Sequence, residues 1–452
     1  MLKKVLVANR GEIALRVVRA CRDLGIQSVV VHSTRDRDSA AVQLADESVQ
    51  IGPPAPRKSY LNVAAVMEAA TRTGADAIHP GYGFLSEDPD FAEICEAEGI
   101  TLVGPPAAAM RTLGRKQSAR NLMASLGLPL LPGSLEALDA DTAGKLAQDI
   151  GFPVIAKASA GGGGRGMRVI EGPERFTETY REVQANAQML FGDGSVYLEK
   201  YLSPARHVEI QVLCDGHGNG IHLGARDCSV QRRHQKLVEE SPAPGLPADL
   251  IAEMGRRSAE AAVAAGYRGV GTFEFLVGPD GSYYFMEVNC RIQVEHPVTE
   301  MVTGVDLVAE QLRVAAGEPL RLRQEDVAFR GVAIECRINA EDPKRDFAPT
   351  PGKIEEYVPA AGPFVRVDTH IRPGDLVAPE YDSLLAKLIV WAPDRPAAIA
   401  RMRRALGEFH VTGRGVKTTR EFLLQVMEHP DFAAGTHSTS IVDEMVQALS
   451  GR

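Results

Sequence analysis

Apolar and polar positions alternate with a period of two along residues 271–296, where GVGTFEFLV and YYFMEVNCRIQVEH flank GPDGS. Two β-branched and aromatic runs around an Asp280-Gly281 pair predict a tight antiparallel hairpin. With Asp280 and Gly281 as the two loop residues, Pro279 faces Ser282, and counting outward sets Glu274 directly opposite Glu287. Two carboxylates then share one face. Past Glu287 the alternation predicts one extended segment, with Glu287, Asn289, Arg291, Gln293 and Glu295 on one side and Val288, Cys290, Ile292 and Val294 on the other.

The N-terminal pattern is of another kind. Short apolar runs at 5–8, 28–32, 77–79 and 101–103 alternate with amphipathic stretches at 12–24, 62–73 and 89–99. This order predicts strands and helices in a doubly wound parallel sheet. Lys116 falls in a helix that starts after Gly114. Strands at 153–157 and 167–170 bracket a loop with glycines at 161–164, and further strands follow at 196–202 and 206–212. The run 228–236 (CSVQRRHQK) is periodic for neither helix nor strand core. After a helix at 305–316, the sequence Gly317-Glu318-Pro319 marks a boundary. The last unit opens with a strand at 331–339, in which Glu335, Arg337 and Asn339 share a face, and closes with helices at 395–409 and 441–449. The fold class is α/β followed by α+β.

Composition narrows the function. A chain of 452 residues, 44% hydrophobic, forms large cores and about three domains. A net charge of −9 argues against a nucleic-acid or membrane-surface protein, so local basic clusters have local tasks. The six cysteines show neither CxxC spacing nor paired clusters, which suggests buried, reduced thiols and no zinc site. Met1 leads straight into LKKVLVANRG with no signal region, and no apolar run is long enough to span a bilayer. A cytoplasmic enzyme is expected.

Like charges facing each other across a sheet are destabilising, so a Glu274–Glu287 pair calls for a cation between the two. Oxygen-rich ligation of this kind suits Mg²⁺ or Mn²⁺ bound together with nucleotide phosphates. The same alternation also fits the solvated outer face of an edge strand. The loop HPGYGFLSE (79–87) follows a strand's carboxyl end, where doubly wound sheets carry ligands; it also reads as a glycine-rich turn closed by Tyr82. Strand, glycine loop, strand excludes a P-loop and a Rossmann turn. Four glycines leave backbone N–H groups open to phosphate and form either a lid or a linker. The donor-dense run at 228–236 suits an anion.

In this order VANRGEIALR (7–16), HPGYGFLSE (79–87), KASAGGGGRGM (157–167), EKYL (199–202), RHVEIQV (206–212), RDCSVQRRHQK (226–236), GTFEFL (271–276), EVNCRIQVEHPVTEM (287–301) and ECRINAEDP (335–343) resemble the biotin carboxylases of the ATP-grasp superfamily over nearly the whole chain. The resemblance implies an N-terminal Rossmann-like domain (1–112), an ATP-grasp domain (113–330) with a glycine-rich lid (about 131–203), and a C-terminal α+β domain (331–452). It implies ATP contacts from Lys116, Lys157, Gly163, Gly164, Glu199, Lys200, Leu202, His207, Gln231, His234 and Leu276, and Mg²⁺ or Mn²⁺ on Glu274, Glu287 and Asn289. Glu295 matches the general base. Arg291, Gln293 and the Val294 backbone match the bicarbonate clamp, Lys236 serves the transferred phosphoryl group, Arg337 matches the residue that stabilises the biotin oxyanion, and Tyr82 borders biotin. Read alone, Glu295 and Arg337 also fit an ordinary ion pair.

The implied reaction consumes ATP and bicarbonate and carboxylates biotin as a carrier-borne substrate, by way of carboxyphosphate. With no Met-Lys-Met attachment sequence before Arg452, the expected partners are a biotin carboxyl carrier protein and a separate carboxyltransferase, with acetyl-CoA as final acceptor and propionyl-CoA or pyruvate as alternatives. Similar family members are homodimers. Three positions depart from the family pattern: Cys290 for threonine, Val288 for methionine, and Arg115 for the aspartate before Lys116. The first two fall opposite the ligand face and are expected to alter packing only. Competing readings are another ATP-grasp ligase, which needs neither Arg337 nor the RRHQK run, and a noncatalytic paralogue, which would lack Glu295, Arg291 or a metal ligand.

Overall fold

Lys4–Val7 forms the central strand of a five-stranded parallel sheet in the computed structural model, which describes residues 2–159 and 166–450. Its three apolar residues are fully buried because parallel sheets of this kind are covered on both faces. The sheet order is Glu47–Gly52, Gln27–Ser33, Lys4–Val7, Ala77–His79, Thr101–Leu102. The expected strands and helices are all present, and Glu47–Gly52 is an addition. That edge strand is polar and half-exposed, so it carries little apolar signal. Strand order reverses between Lys4–Val7 and Ala77–His79, the place where such sheets open a ligand crevice. Both following loops meet there: Asn9 Nδ2 donates to the carbonyls of Pro80 and Tyr82, each at 2.7 Å.

A three-stranded antiparallel sheet, Met167–Ile170, Val154–Ala158 and Val196–Lys200, packs with helices Ala140–Ile150 and Phe176–Phe191 around its own apolar core. Gly163 and Gly164 lie outside the described residues. The approach to this unit is close: a Cβ on Gly133 would stand 2.2 Å from the Leu198 carbonyl oxygen and 2.8 Å from Glu199 Cα.

The largest element is an eight-stranded antiparallel sheet, in the order Tyr283–Asn289, Gly269–Val277, Arg206–Cys214, Gly220–Arg232, Gln235–Ser241, Val332–Asn339, Leu384–Ala392, Val365–Thr369. The expected boundary between 330 and 331 therefore falls within one hydrogen-bonded sheet. Val208, Ile210 and Val212 join the apolar core, and the residues alternating with them, His207, Glu209 and Gln211, are buried polar groups. A sheet with charge buried on one face is the scaffold of the site. The run 228–236 is corrected here: it forms the end of one strand, a turn at Arg233 and His234 with positive φ, and the start of the next. Helices Arg420–Glu428 and Pro430–Ala434 add to the two C-terminal helices expected.

Gly133→Ala should lower unfolding free energy by about 1–3 kcal/mol, the usual cost of overpacking, as read by denaturant titration. A stability equal to that of the unaltered chain would mean that the Gly133 contact yields freely.

Candidate active site

Glu274 lies opposite Glu287, as the hairpin count requires, but two offsets combine to put it there. The loop is longer than Asp280-Gly281: Gly278 N–H donates to Ser282 O at 2.8 Å, which shifts the register by one. A bulge at Met286 shifts it back, since Phe275 pairs with Phe285 and Glu274 with Glu287. The rung then continues across the sheet, with Glu274 opposite Glu209 and Glu209 opposite Arg226. Three carboxylates stand in one row. The extended segment ends at Asn289, and residues 290–295 form an irregular connection into helix His296–Thr303, a correction to the strand expected through Glu295.

Cations neutralise this row. Lys236 Nζ donates to Glu209, to Glu274 at 3.0 Å and to Glu295 at 2.8 Å. Arg226, with no exposed surface, donates to Glu209 at 2.9 and 3.1 Å, to Gln211 at 2.6 Å, and to Thr272 and Thr299 at 3.1 Å each. Burial, the largest single effect, pushes these carboxyls up, but Lys236 together with Arg226 beside Glu209, and together with His207 beside Glu274, outweighs it and holds both below the usual carboxylate range. Glu295 is likewise pushed up by burial and brought below its ordinary value by Lys236 and Arg337. Lys236 itself is held charged by the three carboxylates against the effect of burial. Glu287 differs: burial and then Glu274 raise it, and Lys116 is 4.0 Å away.

Arg291 is fixed by its neighbours. It donates to Glu87 at 2.8 Å, to Gln293 at 2.7 Å and to Asn289 at 2.9 Å. Asn289 and Gln293 in turn donate to Glu274 at 2.7 and 3.1 Å. Arg337 donates to Glu295 at 2.9 Å and to Glu239 at 2.6 Å. The base candidate is thus clamped between two cations and the guanidinium of Arg291 is pre-aligned.

These groups border a cavity of about 740 Å³. Its wall includes Tyr82, Lys116, Lys157, Lys200, Leu202, His207, Gln231, His234, Lys236, Glu274, Leu276, Glu287, Asn289, Arg291, Gln293, Val294 and Arg337. Glu199 is buried behind the wall, where its carboxylate ties Lys157 to Arg120. Glu295 also stands behind the wall, fully buried, and reaches the cavity through Lys236 and Arg337. His207 Nε2 lies 3.0 Å from Glu274 Oε2, and Gln231 Nε2 lies 3.4 Å from His207 Nδ1.

The family described as "Biotin carboxylase, N-terminal domain" matches residues 1–110, and that described as "Biotin carboxylase C-terminal domain" matches 335–444. Between them, residues 115–323 match "Carbamoyl-phosphate synthase L chain, ATP binding domain". A biotin carboxylase of Nostoc sp. is 54% identical over 443 residues, covering 98% of this chain and 99% of that one. The chain belongs to the biotin carboxylase family. Among solved structures, a Campylobacter jejuni biotin carboxylase in a βγ-ATP complex is 46% identical with a TM-score of 0.95, covering 98% of this chain and 99% of that one. The biotin carboxylase domain dimer of Hydrogenobacter thermophilus 2-oxoglutarate carboxylase, with MgADP, ADP and bicarbonate, is 48% identical with a TM-score of 0.94, covering 98% of each chain.

The donor set on this biotin carboxylase chain fits a hard divalent cation. Two facing carboxylates and an amide oxygen suit Mg²⁺; burial first and the facing Glu274 next raise Glu287, with Lys116 4.0 Å away to offset them in part. Sequence reasoning missed Glu209, Arg226, Glu87 and Glu239. The period-two pattern contained Glu209, two residues from His207 on the same face. Arg226 opens the RDCSVQRRHQK run and Glu87 closes HPGYGFLSE, so both were inside quoted motifs without a role. Val288 and Cys290 lie in the apolar core, as expected. Arg115 occupies the N-cap of helix Lys116–Ser125 without a side-chain cap bond; an aspartate there could accept one, and a guanidinium cannot.

Removing one partner of a buried, hydrogen-bonded ion pair costs about 3–5 kcal/mol. Arg226→Met should show a loss of that order in urea unfolding, reduced when Glu209→Gln is added. Full additivity of the two losses would argue against the coupling.

Proposed function

We propose that the chain carboxylates carrier-borne biotin with ATP and bicarbonate, and that one observation carries this reading: Glu295 is held ionised between Lys236 and Arg337 behind a cavity wall that also presents Lys116, Lys157 and His207. Bicarbonate docks on Arg291, whose planar fork suits a planar anion, with Gln293 and the Val294 backbone beside it. As the incoming anions draw Lys236 and Arg337, Glu295 loses the charges that hold its proton affinity down, and it accepts the bicarbonate proton. The freed oxygen forms a bond to the γ-phosphorus and the bond to ADP breaks.

Positioning and charge neutralisation dominate phosphoryl transfer. Lys116, Lys157, His207, Gln231, His234 and Lys236 direct donors into the cavity that takes the nucleotide, with the strand end at Glu199 and Lys200, and Leu202 and Leu276, beside the base. Glu274, Glu287 and Asn289 hold Mg²⁺ or Mn²⁺, which when bound neutralises phosphate charge. Carboxyphosphate then breaks to CO₂ and phosphate. Phosphate takes the proton from the biotin ureido nitrogen, a nitrogen–carbon bond forms with CO₂, and Arg337 balances the oxyanion while Tyr82 borders the ring.

The domain limits are 1–112, 113–330 and 331–452: the first follows the end of the parallel sheet, and the second divides the chain between two neighbouring strands of the shared antiparallel sheet. The carrier protein and the carboxyltransferase are separate chains, acetyl-CoA is the final acceptor, and the enzyme is a cytoplasmic homodimer. Six free, buried cysteines agree with a reducing compartment, and among the described residues no helix is long and apolar enough to cross a membrane. The dimeric form of the Hydrogenobacter domain supports the homodimer, while its 2-oxoglutarate carboxylase setting keeps other acceptors in view.

The direct test is ADP release from the purified chain with Mg²⁺ and bicarbonate, with and without free biotin. Stimulation by biotin that vanishes without bicarbonate is expected; cleavage indifferent to biotin points to another bicarbonate-activating ligase. Loss of a general base typically costs about 10²–10⁴-fold, so Glu295→Gln should slow ADP release by that order with nucleotide affinity retained. Unchanged turnover would remove Glu295 from the role.

A further inference from the structure

Residues 290–295 carry Arg291, Gln293 and Glu295 yet belong to neither strand nor helix, so their backbone polar groups need partners from elsewhere. Glu87 accepts from Cys290 N–H at 2.9 Å. The carbonyl of Val294, in the peptide that leads into Glu295, accepts from Lys387 Nζ at 3.0 Å. Lys387 sits on strand Leu384–Ala392 with no exposed surface. Its ammonium also lies 3.0 Å from Glu12 Oε1, and that same oxygen accepts the Tyr82 hydroxyl at 2.5 Å. Asp368 Oδ2 is farther, at 3.9 Å.

One ammonium therefore joins three parts of the fold: helix Gly11–Asp23 of the parallel-sheet unit, the irregular segment before Glu295, and a strand of the C-terminal region. A fully buried lysine–carboxylate pair is a poor source of net stability, because desolvation offsets much of the attraction. Its geometric effect is specific. Fixing the Val294 carbonyl fixes the plane of the Val294–Glu295 peptide, and with it the starting point of the Glu295 side chain.

We propose that Lys387 is a positioning residue for bicarbonate activation, which holds the Val294–Glu295 peptide in place and, through Glu12, in register with Tyr82 on the biotin side. The inference rests on the biotin carboxylase reading of this site. It assigns Lys387 and Glu12 to the coupling between the two substrates, with neither group touching a reacting atom.

Two variants separate positioning from charge balance. Lys387→Met strands the Glu12 carboxylate, so its folding can fail for a trivial reason. The double variant Lys387→Met/Glu12→Gln removes both charges and, like other buried pairs replaced together, should recover stability. Thermal unfolding and steady-state ADP release are measured on the full chain. The expected result is a KM for bicarbonate raised at least about tenfold in the double variant despite recovered stability, loss of stimulation by biotin, and a KM for ATP within about twofold. A double variant whose bicarbonate KM and biotin response match the unaltered chain would overturn the role of Lys387. An unaltered chain without bicarbonate-dependent ADP release would overturn the reading of the site, and this inference with it.

Discussion

Three carboxylates on one rung of a sheet, Glu287, Glu274 and Glu209, set the terms for everything around them. Like charges in register repel, and a poorly screened interior magnifies the repulsion. The chain answers on one side with Arg226 and Lys236, each contacting several acceptors, which leaves Glu209 and Glu274 ionised. Glu287, at the cavity edge, is the member whose charge is incompletely balanced. The gradient of compensation along the rung runs from a closed structural pair at Arg226 to an open position where a cation and phosphates have room. Lys236 is the hinge of that gradient because it also reaches Glu295.

How much of this was legible depended on sequence distance. The hairpin carboxylates could be paired by counting because they lie close together in the chain, although the count succeeded only because a longer loop and the Met286 bulge offset each other. The run 228–236 defeated periodicity for a physical reason: register shifts on either side of Val230 break the period of two, and the turn at Arg233 and His234 follows at once, with Gln231 toward the cavity and Arg232 on Asp346. Glu47–Gly52 was hidden by its exposure at a sheet edge. Motif resemblance brought the expected cavity residues to one place, and it gave no hint that Glu295 and Glu199 lie behind the wall.

Long-range charge pairs were the least legible. Arg226 and Glu209 lie on adjacent strands, and local alternation could have paired them. Glu12 and Lys387 stand near opposite ends of the sequence, and only the packing of the parallel-sheet unit against the eight-stranded sheet makes them neighbours. Such pairs have no signature in composition, period or turn chemistry. A buried ammonium in an apolar run, as in LLAKLIVWA, is the one local sign that a distant carboxylate is coming.

The eight-stranded sheet has a further consequence. Gln235–Ser241 and Val332–Asn339 are bonded neighbours at its middle, although the family descriptions assign them to separate regions. Severing the chain between those regions would bare two interior strand edges, each a template for nonspecific pairing. The ATP-binding and C-terminal portions are accordingly joined through one continuous sheet, and the pairing of these two strands brings Arg337 beside Glu239.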